Sequence, residues 1–265
     1  MDHVDRLLEK SQWDLFWLPG DVRIVDRPEL LFVACDRPYN YLNMVFRSLA
    51  SDQELPLLIE EVSRAHRTVT SSWKVSIANR STALEQALTA GGYEPGHMHY
   101  GRALNLQDHT PLATSDIWET KTISTTEEMK DTFRVHELAF GKQVKMTDAD
   151  IEQNLRHCTG PNVRVKRAIA YHRQTGEPAS SGGITFFEDL KFGFFWGGGT
   201  APQWRGRGAY RAVVAHRVEL ARQWGCTHVG LYARDNTSDP IMERIGFSRH
   251  GPMTMWERSP LTISP

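Results

Sequence analysis

The chain has 265 residues, a formal net charge of -1 and a pI near 6.8, so no overall field draws it to nucleic acid or to an anionic membrane. Its three cysteines, Cys35, Cys158 and Cys226, are too few and too scattered for a disulfide framework or a zinc site, and they point to reduced thiols in a cytoplasmic setting. No run approaches ~18 apolar residues, the length a membrane span needs, and the acidic opening Met1-Asp2-His3-Val4-Asp5 does not read as a secretory signal.

This length allows one large domain or two small ones. In the first third, Ser51 with Glu54 predicts a cap for a helix from Leu55 to His66. A strand is expected from Val75 to Ala78 and a helix from Leu84 to Ala90, ahead of Gly92-Tyr93. His97 and His99 share one strand face with no third ligand nearby, so packing or surface exposure is expected there rather than a metal. Residues 107 to 115, with Asp108, Thr110, Pro111 and Thr114, read as a linker.

Beyond it, Trp118 to Ile123 reads as a strand. Ser124 and Thr125 ahead of Glu127 and Glu128 then open a helix that runs to about Phe140. A second helix starts at Thr147, with Asp148 and Asp150 in its first turn. Val165 to His172, Ser180 to Phe187 and Phe192 to Gly199 predict three consecutive antiparallel strands, with Glu188-Asp189 at a turn. Arg164, Lys166 and Arg167 are expected at a solvated strand end. A long helix follows from Ala209 to Trp224, its apolar stripe formed by Val213, Val214, Arg217, Val218, Leu220 and Ala221, with Gly225 as its stop. A strand, a short helix and a last strand from Pro252 to Trp256 complete the chain.

The densest chemical signal is Gln203-Trp204-Arg205-Gly206-Arg207-Gly208, between the glycine-ended strand and the long helix. The first amides of a helix lack internal partners and sit at the positive end of its dipole. Glycines let the backbone approach a bulky anion, so this junction predicts a phosphate cradle. Arg205 and Arg207 are placed to add charge-assisted contacts, worth ~1.5–3 kcal/mol each when well formed. No Gly-Lys-Ser/Thr follows, and the third glycine of a dinucleotide fingerprint is missing, so neither of those motifs applies.

Gln-x-x-Gly-x-Gly before an amphipathic helix resembles the acyl-CoA signature of the GCN5-related N-acetyltransferases. The stretch from Val229 to Ala233, then Asn236 through Gly246-Phe247, is similar to that family's fifth strand, its Asn-bearing loop and its short helix. The resemblance covers roughly residues 116 to 258. It implies an α/β (α+β) fold with a mixed, mostly antiparallel sheet flanked by helices. It further implies acetyl-CoA as co-substrate, with the pyrophosphate held by Arg205, Gly206, Arg207, Gly208, Ala209 and Tyr210. Gly199, Thr200, Ala201 and Asn236 would lie along the pantetheine arm.

Setting Gly246-Phe247 over Gly92-Tyr93 gives an offset of 154 that lays the helix at Leu55 beneath the one at Ala209. The same offset sets Asp52 and Glu54 where Gly206 and Gly208 stand, and carboxylates repel a pyrophosphate. Residues 1 to 106 are therefore expected to form a degenerate copy that does not bind CoA. Residues 116 to 265 are expected to form the catalytic copy, in a tandem arrangement.

A thioester carries its own leaving group, so positioning, at ~7–11 kcal/mol, should outweigh a general base at ~3–5 kcal/mol. The family often places a tyrosine four residues before Gly-Phe as the proton donor to the thiolate. Here that position is Met242, which has no proton to give. Tyr210 and Ser238 are the substitutes, with core packing and a helix cap as their plainer readings. Glu137, with His136, is the candidate base, and a solvated helix face is its alternative. The sequence points to an N-acetyltransferase acting on a small primary amine. Peptide acetylation and a non-catalytic acyl-CoA sensor remain the other readings, and monomer and homodimer both stay open.

Overall fold

The computed structural model describes residues 1–108, 110–141, 146–160 and 163–261. In chain order its elements are α1 (His3–Lys10), β1 (Arg23–Arg27), β2 (Leu30–Ala34), β3 (Met44–Ser48), α2 (Leu55–Ala65), β4 (Ser71–Ser76), α3 (Thr82–Ala90) and β5 (Glu94–Asn105). There follow β6 (Trp118–Thr122), α4 (Thr126–Phe140), α5 (Asp148–Thr159), β7 (Val165–His172), β8 (Pro178–Phe187), β9 (Phe192–Thr200), α6 (Ala209–Gln223), β10 (His228–Arg234), α7 (Asp239–Ile245) and β11 (Ser248–Arg258). None of the described helices is long and apolar enough to cross a membrane. The stretch 107–115 carries no helix or strand among its described residues, and residue 109 lies outside them.

The chain falls into two compact units that do not follow chain order. One comprises Met1–Arg102, Tyr232–Glu243 and Arg249–Pro265, the other Ala103–Leu231 and Arg244–Ser248. In the first unit the strand order is β1-β2-β3-β4-β11-β5. The last strand of the chain pairs antiparallel with β4, Met253 to Arg258 against Ser76 to Ser71. Every residue of β2, Leu-Leu-Phe-Val-Ala, is buried, whereas β1 at the sheet edge is largely exposed. One face of the sheet packs Leu30, Phe32, Val45, Trp73 and Val75 against Leu58, Ile59 and Val62 of α2 and Leu84 and Leu88 of α3.

Three buried polar groups stitch this core together. His66 Nε2 lies 2.8 Å from the Val33 carbonyl and must donate to it. Its Nδ1 therefore accepts from the Ser71 hydroxyl at 2.6 Å, and the Ser71 oxygen accepts from the Tyr93 hydroxyl at 2.7 Å. Burial, opposed by the Val33 carbonyl, pushes His66 down to about 4. An unfolded histidine protonates near 6.5, so between pH 6.5 and 4 the unfolded chain holds more protons, and stability falls as pH drops through that window. The loss amounts to about 3 kcal/mol, and the ring resonances of His66 should titrate with a midpoint near 4 in an NMR titration. A midpoint near 6.5 would refute the buried network.

The second unit orders its strands β10-β9-β8-β7-β6. The three strands β7, β8 and β9 are antiparallel as the alternation predicts. Capping boxes at Thr125–Glu128 and Thr147–Asp150 open α4 and α5, and Gly225, with φ 73°, follows α6. Three expectations need correction. Ser51 does not cap α2: its hydroxyl and N–H bond the Glu54 carboxylate, and Glu54 itself is the N-cap residue. The strand expected at Val75 begins four residues earlier, at Ser71, and ends at Ser76. The basic stretch is not a solvated end. The Arg167 guanidinium lies 4.7 Å over the Trp196 ring and 5.6 Å over Phe133, Lys166 donates to the Cys158 carbonyl, and Arg164 sits over Phe187.

The units share one plan. In each, a strand leads through a helix to a parallel strand. This is β3-α2-β4 in the first unit, with Met44 and Val45 opposite Ser72 and Trp73. In the second it is β9-α6-β10, with Phe192 to Phe194 opposite His228 to Gly230, and α7 is the next helix along the chain.

Candidate functional site

The site in the second unit is built on β9. Its ladder with β10 covers Phe192 to Phe194 and ends there, so from Phe195 to Thr200 that edge has no strand partner among the described residues. On the other edge, the register with β8 shifts between Ser181 and Gly183, opposite Gly199 and Trp196. Gly197 and Gly198 form the bulge this shift requires, and Gly197 takes φ 59°. Three neighbours close on the glycines. A Cβ at Gly197 would lie 3.2 Å from the His136 ring, one at Gly198 2.8 Å from the Tyr210 ring, and one at Gly199 2.9 Å from Ala139.

α4 brings His136 against this strand. His136 Nε2 donates to the Gly197 carbonyl at 2.6 Å, which leaves Nδ1 as its acceptor. Burial, reinforced by the charge of Arg167, holds the imidazole below its ordinary range, so it is neutral at pH 7. Glu137, one residue further round the helix, is half-buried. The Gly199 carbonyl accepts from Ser180 Oγ at 2.8 Å, and the same hydroxyl lies 3.0 Å from that of Thr200. Ala201 is buried and spends its N–H on the Ala179 carbonyl, so it has no free donor for a ligand.

After a single 3-10 turn, Pro202–Trp204, the loop enters left-handed backbone twice, at Gly206 (φ 73°) and Gly208 (φ 84°). From residue 206 to residue 211 no backbone N–H has an acceptor within the described protein, and the first intrahelical bond runs from Ala212 N–H to the Gly208 carbonyl. These orphan donors stand at the N-terminus of the 15-residue α6. The Arg205 guanidinium donates to the carbonyls of Thr200 and Ala139 and ties the loop to the end of α4, and Arg207 lies over the Trp204 ring. Both arginines thus carry positive charge at the loop, and Arg205 spends part of its hydrogen-bonding capacity on holding it.

Beneath the strand, Arg217 of α6 is fully buried. Its Nη1 donates to the Gly183 carbonyl at 3.1 Å, its plane lies 4.3 Å from the Phe195 ring centroid, and its Nη2 has no partner. Gly182 makes room for it, since a Cβ there would lie 2.8 Å from Nη1. Burial lowers its hold on the proton, and the nearby Tyr210 hydroxyl works in the opposite direction. Arg217 stood in the sequence only as a member of the helix stripe, and its being the lone charge among apolar residues was the signal that could have marked it. His136 was named with Glu137 as a candidate base, whereas Trp118, which donates to the Arg207 carbonyl at 2.9 Å, gave no signal beyond opening a strand.

The remaining candidates lie in the first unit. Ser238 precedes α7, accepts from the Arg234 N–H at 2.8 Å and receives Met242 N–H on its carbonyl, an ordinary helix start. Asn236 is exposed, and Met242 is fully buried. His97 and His99 lie on β5, where His99 Nδ1 bonds the His97 carbonyl and His97 Nε2 meets Arg234.

No protein-family model and no curated protein matches the sequence. Solved structures do match. A GCN5-related N-acetyltransferase from Kribbella flavida is 17% identical, with 97% of this chain and 96% of that one covered and a TM-score of 0.73. Another from Sphaerobacter thermophilus gives 16%, 97% and 91%, with a TM-score of 0.64. A tandem GNAT protein from the clavulanic acid biosynthesis pathway gives 14%, 99% and 89%, with a TM-score of 0.61. The likeness is one of fold. This chain has the fold of the GCN5-related N-acetyltransferases, matched along nearly the whole of a tandem protein.

Proposed function

We propose that this protein is an acetyl-CoA-dependent N-acetyltransferase that moves the acetyl group to the primary amine of a small molecule, by direct attack in a ternary complex. The observation that carries the reading is the run of orphan N–H groups at residues 206–211, joined to the unpaired edge of β9. A helix N-terminus with two left-handed glycines suits a pyrophosphate, and a free strand edge suits an amide-bearing arm that pairs with it. The loop amides from Gly206 to Tyr210 hold the pyrophosphate in this reading, and Gly198 to Thr200 bond the pantetheine arm. Acetyl-CoA supplies an activated carbonyl and a thiolate leaving group, so most of the work of this site is orientation. Tyr210, whose ring lies against Gly198, is the proton donor we assign to the thiolate, and α4 provides the base through Glu137 or the neutral His136.

By position along the chain we assign residues 1–106 to a degenerate copy, 107–115 to the linker and 116–265 to the catalytic copy, whose segments Tyr232–Glu243 and Arg249–Pro265 belong to the first compact unit. One feature of the first unit supports silence there. Past the paired residues of β3 and β4, Ser48 Oγ accepts from Trp73 Nε1 at 3.0 Å and from Asn79 Nδ2 at 2.8 Å. Asn79 also bonds the Lys74 carbonyl and the Ser76 N–H, so side chains close the gap that β9 leaves open.

Acetyl-CoA at a hundredfold excess over its Kd is expected to stabilise the protein by about 2.7 kcal/mol in a thermal-shift assay. CoA thiol should then be released on addition of at least one member of a panel of amino acids, polyamines and amino sugars. Stabilisation without thiol release on any amine would favour an acyl-CoA sensor, and no stabilisation would end the donor assignment.

A further inference from the structure

We propose that Trp118 is a positioning residue that turns the Gly208 N–H outward and so sets the geometry of the anion cradle. The inference rests on the donor-site reading above. Its starting point is the bond from the Trp118 indole N–H to the Arg207 carbonyl, 2.9 Å long. Among the described residues no peptide is cis, and a trans peptide places its C=O and N–H on opposite sides. With the Arg207 carbonyl fixed toward the indole, the Gly208 N–H of the same peptide points away from it. That N–H belongs to the run without protein acceptors.

The glycine makes this control necessary. Gly208 has no Cβ to restrict the plane of the peptide before it, so the loop by itself would leave that N–H free to swing. The indole removes this freedom from below, with Nε1 only 3.7 Å from where a Cβ on Gly208 would stand. Trp118 is itself held on several sides. It is 5% exposed, opens β6 opposite His172, and meets the rings of Trp204 and His172 edge-on at 5.6 and 5.7 Å. Among apolar-bodied side chains, tryptophan combines such packing with a lone donor that cannot accept. The neighbouring Trp204 is the natural control, because its buried indole N–H has no partner.

Calorimetric titration of wild type, Trp118→Phe and Trp204→Phe with acetyl-CoA, inorganic pyrophosphate and acetylpantetheine tests the proposal. Trp118→Phe keeps an aromatic ring and removes the donor. It should weaken acetyl-CoA and pyrophosphate about tenfold, the size of one hydrogen bond to a charged group, and leave acetylpantetheine unchanged. In turnover it should raise KM for acetyl-CoA with kcat intact, and Trp204→Phe should move neither affinity. Wild-type affinities in Trp118→Phe would overturn the proposal. So would an equal loss in Trp204→Phe or for acetylpantetheine, since either marks packing rather than the donor. If wild type binds pyrophosphate but not acetyl-CoA, and Trp118→Phe weakens pyrophosphate, the donor reading falls and this one stands; if wild type binds neither, both fall.

Discussion

Gly208→Val is expected to abolish detectable acetyl-CoA binding while the protein still folds. The reason is conformational rather than steric. A Cβ at this position would meet nothing closer than 3.7 Å, but φ 84° is a backbone region that β-branched residues avoid. Valine would pull the peptide toward negative φ, and the amides of the loop would lose their common direction. Two misdirected charge-assisted bonds would cost ~3–6 kcal/mol, a loss of roughly 100-fold or more in affinity. Asparagine tolerates left-handed backbone, so Gly208→Asn should retain much of the binding that Gly208→Val loses. The check is a thermal-shift titration of the three proteins with acetyl-CoA. A full shift in the valine variant would refute the loop assignment, and equal loss in both variants would show that space, not backbone conformation, is limiting.

The largest stability effect is expected at a buried ion pair in the first unit. Glu9 of α1 and Lys74 of β4 are each 2% exposed and meet at 3.0 Å, and the Tyr232 hydroxyl donates to the other Glu9 oxygen at 2.7 Å. Burial lowers the hold of Lys74 on its proton, and the Glu9 charge opposes that shift. Lys74→Met leaves a carboxylate in the core with only a phenol for company. Such an uncompensated charge costs ~3–5 kcal/mol, which for a chain of this size lowers Tm by roughly 10 °C. Adding Glu9→Gln removes the stranded charge and keeps an acceptor for Tyr232, so the double variant should regain about half of the loss or more. Urea unfolding of the single and double variants measures this. A loss under ~1 kcal/mol in Lys74→Met would mean that water or a local shift reaches the pair.

What the sequence revealed depended on how local the cause was. The boundaries of α4, β7 and α6 and the start of α5 were readable because capping boxes, a stop glycine and alternation act within a few residues. The offset of 154 between the copies survives at the starts of α2 and α6, Leu55 and Ala209. It fails for β4. There Ser71 and Ser76 are buried polar residues, satisfied by His66 and Tyr93 and by Asn79, so no apolar run announces the ends of the strand. α1 was hidden for a similar reason: Asp2 and Asp5 looked like an acidic terminus, and they form a capping box.

The same divide runs through the site. The glycine loop was legible because each glycine answers a local backbone demand. His136 on Gly197, Arg205 on Ala139 and Trp118 on Arg207 span 61, 66 and 89 residues, and no spacing rule reaches that far. Arg205 adds a long-range contact that its place in the loop did not announce. It stands at the loop as expected, yet its hydrogen bonds secure the loop to α4.

The pairing of β11 with β4 has a consequence for biosynthesis. Strands β1 to β4 leave the ribosome well before β11, the strand that pairs with β4. The second unit, by contrast, has all of its strands before β11 is made. Domains generally mature in the order of synthesis, and here the order is inverted for the earlier copy. Its β4 edge waits, unpaired, through the translation of more than half the protein. Chaperone demand and aggregation during expression should therefore concentrate in the amino-terminal segment, and a truncation that removes β11 should harm that segment before it harms the loop at Gly208.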